Sequence, residues 1–149
     1  MKKILVPIDG SEYSERAITK AKEMSEAFDS EVTLLNVTSI GSIDFTRYAR
    51  VDEILNWQKM NEEADEKSEN LLMKAKNNFG EISNKVETVS LNSRTDNIAK
   101  VIADYTEEHK PDIIIMGSNG IGSLAKRLYL GSVTNKVLHL VSIPVLVVQ

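Results

Sequence analysis

The chain has 149 residues, with 18 Lys and Arg against 22 Asp and Glu, so its formal net charge is −4. This length suits one domain, and the mildly acidic balance is unlike the strong basic excess of a dedicated nucleic-acid binder. Cysteine is absent and only two histidines occur, which excludes disulfides and thiol nucleophiles and leads us to predict no protein-built metal site.

The chain begins with a short apolar run over residues 4–8, followed by Asp9. This run is too short for the apolar region of a signal peptide, and no later stretch approaches the roughly 18 apolar residues of a membrane span. We therefore expect a cytoplasmic protein without a membrane partner. A continuous apolar run that leads into Asp-Gly-Ser is typical of a strand buried on both faces of a parallel sheet.

Helical and strand patterns alternate along the rest of the chain. A helix is predicted from residue 12 to about 28, with Ser11 as its N-cap. Further strands are predicted at 31–37, 84–91, 112–116 and 143–148, and further helices at 51–79, 95–108 and 131–141. This strict alternation predicts a single doubly wound α/β domain, in which a five-stranded parallel sheet carries helices on both faces.

The helix predicted at 51–79 is the longest of the four. Trp57 and Met60 lie on its apolar stripe and are predicted to be core residues, whereas the acidic opposite face is predicted to be solvated. Gly80 is predicted to be the C′ residue that ends this helix.

Glycines cluster after the most apolar strand, where residues 117–131 hold four of the seven in the chain. Glycine lets backbone N–H groups approach an anion closely, and the following helix N-terminus favours phosphate. The segment therefore predicts a polyphosphate cradle, with the alternative that Gly117 and Gly120 only turn the chain. It is not a P-loop, because the required Lys-Ser/Thr pair is missing.

Residues for catalysis are not apparent in the sequence. The chain has no Gly-x-Ser-x-Gly elbow, and neither His109 nor His139 has a plausible Asp partner in the sequence. We predict no catalytic residues.

Three segments, taken in order, resemble the universal stress protein family over essentially the whole chain. They are ILVPIDGS at 4–11, PDIIIMGS at 111–118, and LGSVTNKV at 130–137 followed by IPVLVV at 143–148. The resemblance implies one universal stress protein domain over residues 1–149, with strand order 3-2-1-4-5. It also implies a regulatory ATP-binding protein with little or no turnover, in which Mg²⁺ is held mainly by the phosphates, and a homodimer formed through the last strand.

The family's nucleotide-binding members carry Gly-x-x-Gly, nine residues, then Gly-Ser or Gly-Thr. Gly120 and Gly131 match the two ends of this spacer, but here ten residues separate them. The departure keeps open an alternative, a homodimeric interaction protein of the same fold that binds no nucleotide. The positions that the resemblance assigns to cofactor binding are Pro7, Asp9, Val37, Met116, Gly117, Gly120, Gly131, Ser132 and Val133.

Two of these assignments have local alternatives. Asp9 is implied to lie near the ribose or a phosphate-held metal, but it could instead cap the first helix. Val37 is implied to contact adenine through its backbone, which any residue could do. Lys126 and Arg127 could neutralise phosphate charge or simply be solvated.

Overall fold

The computed structural model describes residues 1–40, 50–120 and 130–149. Lys126, Arg127 and most of the two loops predicted after the second and fourth strands lie outside the described residues. The described strands are β1 (Lys3–Pro7), β2 (Glu31–Ser39), β3 (Val86–Ser93), β4 (Ile113–Gly117) and β5 (Val145–Val148). The described α-helices are α1 (Glu12–Phe28), α2 (Val51–Asn77), α3 (Ile98–His109) and α4 (Ser132–Leu140), and a 3₁₀ helix spans Gly80–Lys85.

The five strands form one parallel sheet in the order β3-β2-β1-β4-β5, which confirms the predicted fold and strand order. Side chains alternate between its two faces, as the two-residue period of a strand requires. Ile4 and Val6 of β1 join the core beneath α1 and α2, whereas Leu5 joins the core beneath α3 and α4. The sheet is thus covered on both sides by apolar contacts.

The winding of the sheet reverses between β1 and β4, which are neighbours at its centre. In such sheets ligands bind beyond the carboxyl ends of the strands, next to this reversal. β1 ends at Pro7 and β4 ends at Gly117, so Asp9 and the glycine-rich segment leave the sheet side by side. The topology therefore brings two distant parts of the sequence to one place.

Several predicted boundaries were wrong by two or three residues. β2 runs to Ser39, because it continues to pair with β3 as far as Ser93. α2 ends at Asn77, before the predicted end, because its last turn tightens into bonds from Asn78 and Phe79 to residues three positions earlier. Gly80 has a φ of +57° but begins the 3₁₀ helix rather than serving as the C′ residue.

The first half of α2 is not part of the core, so the prediction for Met60, which is 49% exposed, was wrong. Trp57 is half-buried. The buried residues of α2 all lie in its second half, where the helix covers β2 and β3. The helix has 27 residues, or about 40 Å, whereas the eight residues of β3 span about 26 Å. The helix is therefore about 14 Å longer than β3, so about nine of its residues extend beyond the sheet.

Candidate functional site

Asp9 lies in the turn between β1 and α1 and is held there by a small hydrogen-bond network. Its Oδ1 accepts the N–H of Ser11 at 2.9 Å, and its own N–H is donated to Ser14 Oγ at 3.3 Å. The Ser11 hydroxyl in turn accepts the N–H of Ser14 at 3.1 Å. Ser11 is therefore the N-cap of α1, as predicted, and the alternative that Asp9 caps this helix was wrong.

Gly117, the last residue of β4, is buried against the first turn of α1. A Cβ at this position would lie 2.7 Å from Tyr13 Cβ and 2.8 Å from the Tyr13 carbonyl carbon. Real Cβ atoms do not approach so closely, and the atoms in the way include helix backbone. Glycine at 117 thus allows α1 and β4 to pack at this distance.

Gly120 has a different neighbour, the carboxylate of Asp9. A Cβ at Gly120 would lie 2.7 Å from Asp9 Oδ2. One oxygen of Asp9 is therefore directed to the α1 turn, and the other faces the glycine-rich segment. Any side chain at position 120 would have to displace this carboxylate.

The start of α4 completes this edge of the site. Its N-cap is Gly131, which has no side chain to accept an N–H of the first turn. The Gly131 N–H is itself donated to the carbonyl of Ser118 at 2.7 Å, and the Thr134 hydroxyl is donated to the carbonyl of Gly117 at 2.8 Å. The first N–H groups of a helix lack intrahelical acceptors and attract anions. Those of Ser132 and Val133 begin a helix that is fastened to the end of β4.

Between these elements lies a cavity of about 120 Å³. Its walls are mostly apolar and come from β1, β2, α3, β4 and α4. Seven of the nine residues proposed from the sequence line it, namely Pro7, Asp9, Val37, Met116, Gly117, Gly120 and Val133. Gly131 and Ser132 are not among its lining residues, and they mark the start of α4 beside it.

Seven further residues that line the cavity were not predicted to do so from the sequence, namely Ile8, Ser14, Leu35, Ile98, Ile102, Asn119 and Thr134. Ile98 and Ile102 of α3 form part of the wall, together with Leu35 of β2 and Thr134 of α4. The two isoleucines lie on the predicted apolar stripe of α3, and Ile98 is the first residue of that helix. Its position at the carboxyl edge of the sheet is the feature that could have assigned it to the site.

Neither histidine lines this cavity. His109 and His139 each place Nδ1 beside a backbone carbonyl of the preceding turn in the same helix, at 3.1 Å and 2.7 Å. In residues 1–40, 50–120 and 130–149, no group of three or more His, Asp or Glu could hold a metal ion. Over the same residues, no helix has both the length and the apolar character needed to cross a bilayer.

The profile of the Universal stress protein family matches residues 1–149. The chain belongs to the universal stress protein family. It is 32% identical to universal stress protein MJ0531 of Methanocaldococcus jannaschii, over 99% of this chain and 82% of that protein. It is 31% identical to universal stress protein YxiE of Bacillus subtilis, over 99% of this chain and 98% of that protein.

Solved universal stress proteins share the fold. The structure of UspA from Lactobacillus plantarum superposes with a TM-score of 0.83 at 20% identity, over 99% of this chain and 97% of that one. A universal stress protein in complex with cAMP matches with a TM-score of 0.68 at 21% identity, over 99% and 97% of the two chains. One from Archaeoglobus fulgidus in complex with dAMP matches with a TM-score of 0.62 at 21% identity, over 100% and 98%. Some proteins with this fold thus bind adenine nucleotides.

Proposed function

We propose that this universal stress protein binds an adenine nucleotide, with ATP as the ligand, and acts as a regulatory protein in a stress response. The observation that carries the proposal is the contact between Gly120 and Asp9, beside a helix whose N-cap has no side chain. At both positions a Cβ would meet protein atoms, Asp9 Oδ2 at 2.7 Å for Gly120 and Asn119 Cα at 3.1 Å for Gly131. Glycine therefore lets these residues pack closely beside the start of α4, whose first N–H groups suit phosphates. The cAMP and dAMP complexes of proteins with this fold add support.

The residues around the cavity fit the parts of such a nucleotide. The apolar walls, which include Ile98 and Val133, suit a planar base, and the backbone of Val37 could provide its polar contacts. The first turn of α4 suits the phosphates, and the Asp9 carboxylate lies at the same edge. Among the described residues no cluster of ligands could hold a metal. We therefore propose that Mg²⁺ enters with the nucleotide and is held mainly by its phosphates.

Turnover is proposed to be slow or negligible. Proton transfer by a positioned base is a main source of hydrolytic rate, and such a base needs a partner that orients it. His109 and His139 each contact a backbone carbonyl of their own helix, so these contacts do not orient either ring as a base. Hydrolysis on the order of 1 s⁻¹, the range of ordinary enzymes, would contradict this part of the proposal.

Calorimetric titration of ATP into the wild type and into Gly120→Val tests the nucleotide site. A side chain at 120 must displace Asp9, so we expect ATP affinity to fall at least about tenfold, which corresponds to 1.4 kcal/mol. Gly80→Ala is the control, because Gly80 has no neighbour within 4 Å of its Cβ position. It should bind ATP like the wild type. Equal affinity in folded Gly120→Val would contradict the proposed cradle.

The alternative function is a homodimeric interaction protein of this family that binds no nucleotide. The observation that favours it is the ten-residue spacer between Gly120 and Gly131, one residue longer than in the family's nucleotide-binding members. Wild-type protein that shows no heat of ATP binding, and that is purified without nucleotide, would favour this alternative.

In either case we propose a homodimer formed through β5. This strand is at the end of the sheet and pairs with β4. Its four residues are all apolar yet only half-buried. An apolar edge strand tends to pair with another strand unless something covers it. A second copy, related by a two-fold axis, would pair antiparallel with it and cover the edge.

Sedimentation of the wild type and of Val147→Lys tests this dimer. A charge in the middle of the seam should shift the protein from dimer to monomer, whereas Ser142→Lys, placed in the exposed segment before β5, should leave the dimer intact. Wild-type protein that sediments as a monomer at tens of micromolar, well above the Kd of an ordinary stable dimer, would contradict the proposal. The cytoplasmic location stays a prediction from the sequence.

A further inference from the structure

Thr134 is not one of the proposed binding residues, yet it makes a buried hydrogen bond beside the site. It is the third residue of α4, its side chain is buried, and its hydroxyl is donated to the carbonyl of Gly117 at 2.8 Å. Gly117 ends β4 and is the first residue of the glycine-rich segment. This hydrogen bond therefore joins the first turn of α4 to the strand from which that segment leaves.

We infer that Thr134 is a positioning residue for the phosphate end of the nucleotide site. The inference rests on the proposed function, since it concerns where the N–H groups of α4 point when a nucleotide binds. Thr134 also lines the cavity, but its hydroxyl is donated to Gly117 and is not the group proposed to bind the nucleotide. Its role is to hold the helix at the angle at which those N–H groups face the phosphates.

The small number of anchors of α4 is the first argument. The helix has nine residues, and only Thr134 and Val137 are buried. Val137 belongs to the apolar core beneath α3 and α4, and apolar packing does not fix a direction strongly. The hydroxyl of Thr134 makes a directional bond, so it restrains the rotation and tilt of the helix.

The two tethers at the start of α4 form the second argument. The backbone N–H of Gly131 is donated to Ser118, and the side chain of Thr134 is donated to Gly117, so two successive carbonyls of one strand end hold the same helix turn. Two attachment points define an orientation, whereas one leaves the helix free to pivot. Only the tether from Thr134 is made by a side chain, so it can be removed without changing the backbone.

The sensitivity of hydrogen bonds to angle is the third argument. N–H···O bonds weaken steeply as the angle at hydrogen falls, so a modest tilt of α4 would misalign several donors together. Contacts of the base with the apolar cavity do not depend on that angle in the same way. Loss of the tether should thus weaken the binding of phosphates and spare the binding of the nucleoside.

The test compares ATP with adenosine by calorimetry on the wild type, Thr134→Val, Thr134→Ser and Thr106→Val. Valine keeps the shape of threonine and removes its hydroxyl, whereas serine keeps the hydroxyl. Thr106 is a matched control, because its buried hydroxyl is also donated to a carbonyl at 2.8 Å, that of Ile102 within α3. Its removal deletes a buried hydroxyl-to-carbonyl bond of equal length that lies within one helix, away from the glycine-rich segment.

We expect Thr134→Val to weaken ATP by about tenfold and to change adenosine affinity by less than about twofold, while Thr134→Ser and Thr106→Val bind both ligands like the wild type. Equal losses for ATP and adenosine would show a merely structural role and overturn the inference, as would unchanged ATP affinity. Thr134→Ala, a second variant without the hydroxyl, decides the matter if the valine variant does not fold. Wild type that binds no ATP would instead overturn the proposed function itself.

Discussion

Two helices begin at the same edge of the sheet, on either side of the cavity, and they are built in opposite ways. α1 begins after Ser11, whose hydroxyl accepts the N–H of Ser14, so this helix supplies its own cap. α4 begins after Gly131, which provides no side-chain cap. It is held to β4 by the hydrogen bond from the Thr134 hydroxyl to the carbonyl of Gly117. The first turn of α1 is thus capped by its own Ser11 side chain, whereas the N-cap of α4, Gly131, makes no side-chain cap.

This difference divides the glycines beside the cavity into two kinds. Gly117 is needed because the self-capped helix α1 packs directly on it, with the backbone of Tyr13 in the way of any Cβ. At Gly120 a side chain would meet the carboxylate of Asp9, which is the mobile end of a side chain rather than backbone. The packing of Gly117 against Tyr13 forms part of the cavity wall, whereas Asp9 and Gly120 lie beside each other within the site. Substitutions can separate the two roles.

The largest expected effect is that of Gly117→Val, which would break the wall. The new side chain must overlap backbone atoms of α1, and neither the helix nor the central strand β4 can move freely. We expect the free energy of unfolding to fall by about 3 kcal/mol, at the upper end of overpacking costs. Urea denaturation without nucleotide measures this change.

Gly80→Ala is the control for backbone strain alone. Gly80 has a φ of +57° and no neighbour within 4 Å, so alanine there adds strain without overlap. It should cost about 1 kcal/mol. If Gly117→Val costs no more than this control, the contact with Tyr13 is not what requires glycine at 117.

The next effect concerns the cap of α1 and sharpens the comparison between the two helices. Ser11→Ala removes the hydroxyl that caps α1 but keeps the backbone N–H that Asp9 accepts. We expect a loss of about 1 kcal/mol in unfolding free energy and little change in ATP affinity. Ser11→Asp, which retains a cap, should recover most of the stability. A large loss of ATP affinity in Ser11→Ala would contradict the purely structural role of this turn.

The sequence allowed most of the fold to be predicted because the deciding patterns are local or topological. Alternating apolar strands and helices gave the doubly wound sheet, and the place of Ser11 before a helical stripe gave the cap of α1. Ligands of such sheets bind beyond the carboxyl ends of the strands, and this rule predicted that Asp9 and the glycine-rich segment lie together. Each of these steps uses neighbours in sequence or the order of elements.

Other features depend on tertiary contacts that no local pattern contains. Gly117 and Gly120 are alike in sequence, and only the positions of Tyr13 and Asp9 give them different roles. Thr134 is one more polar residue on a short helix until its bond to Gly117 is seen. Met60 was predicted on the apolar stripe of α2, yet it is exposed, because the less exposed stripe of the helix runs through Trp57, Asn61 and Ala64 instead.

The smallest expected effect lies at the opposite edge of the sheet, and it tests whether stability there is independent of the nucleotide site. Asp112, just before β4, accepts the N–H groups of Lys2 and Lys3 at 2.7 and 2.8 Å, and these bonds lower the pKa of its carboxyl below the ordinary 3.8. Because the folded-state pKa is depressed, the charged form stabilises the fold above the unfolded pKa, and this contribution is lost as the pH falls through the folded value.

Urea midpoints of the wild type and Asp112→Asn should therefore differ slightly between about pH 7 and pH 5 and converge below about pH 3.8. ATP affinity should be the same in both proteins, since these contacts begin β1 while the cavity lies beyond its end. A difference in stability that persisted or grew in acid would contradict the role of the charged carboxyl, and a change in ATP affinity would contradict the independence of the two edges.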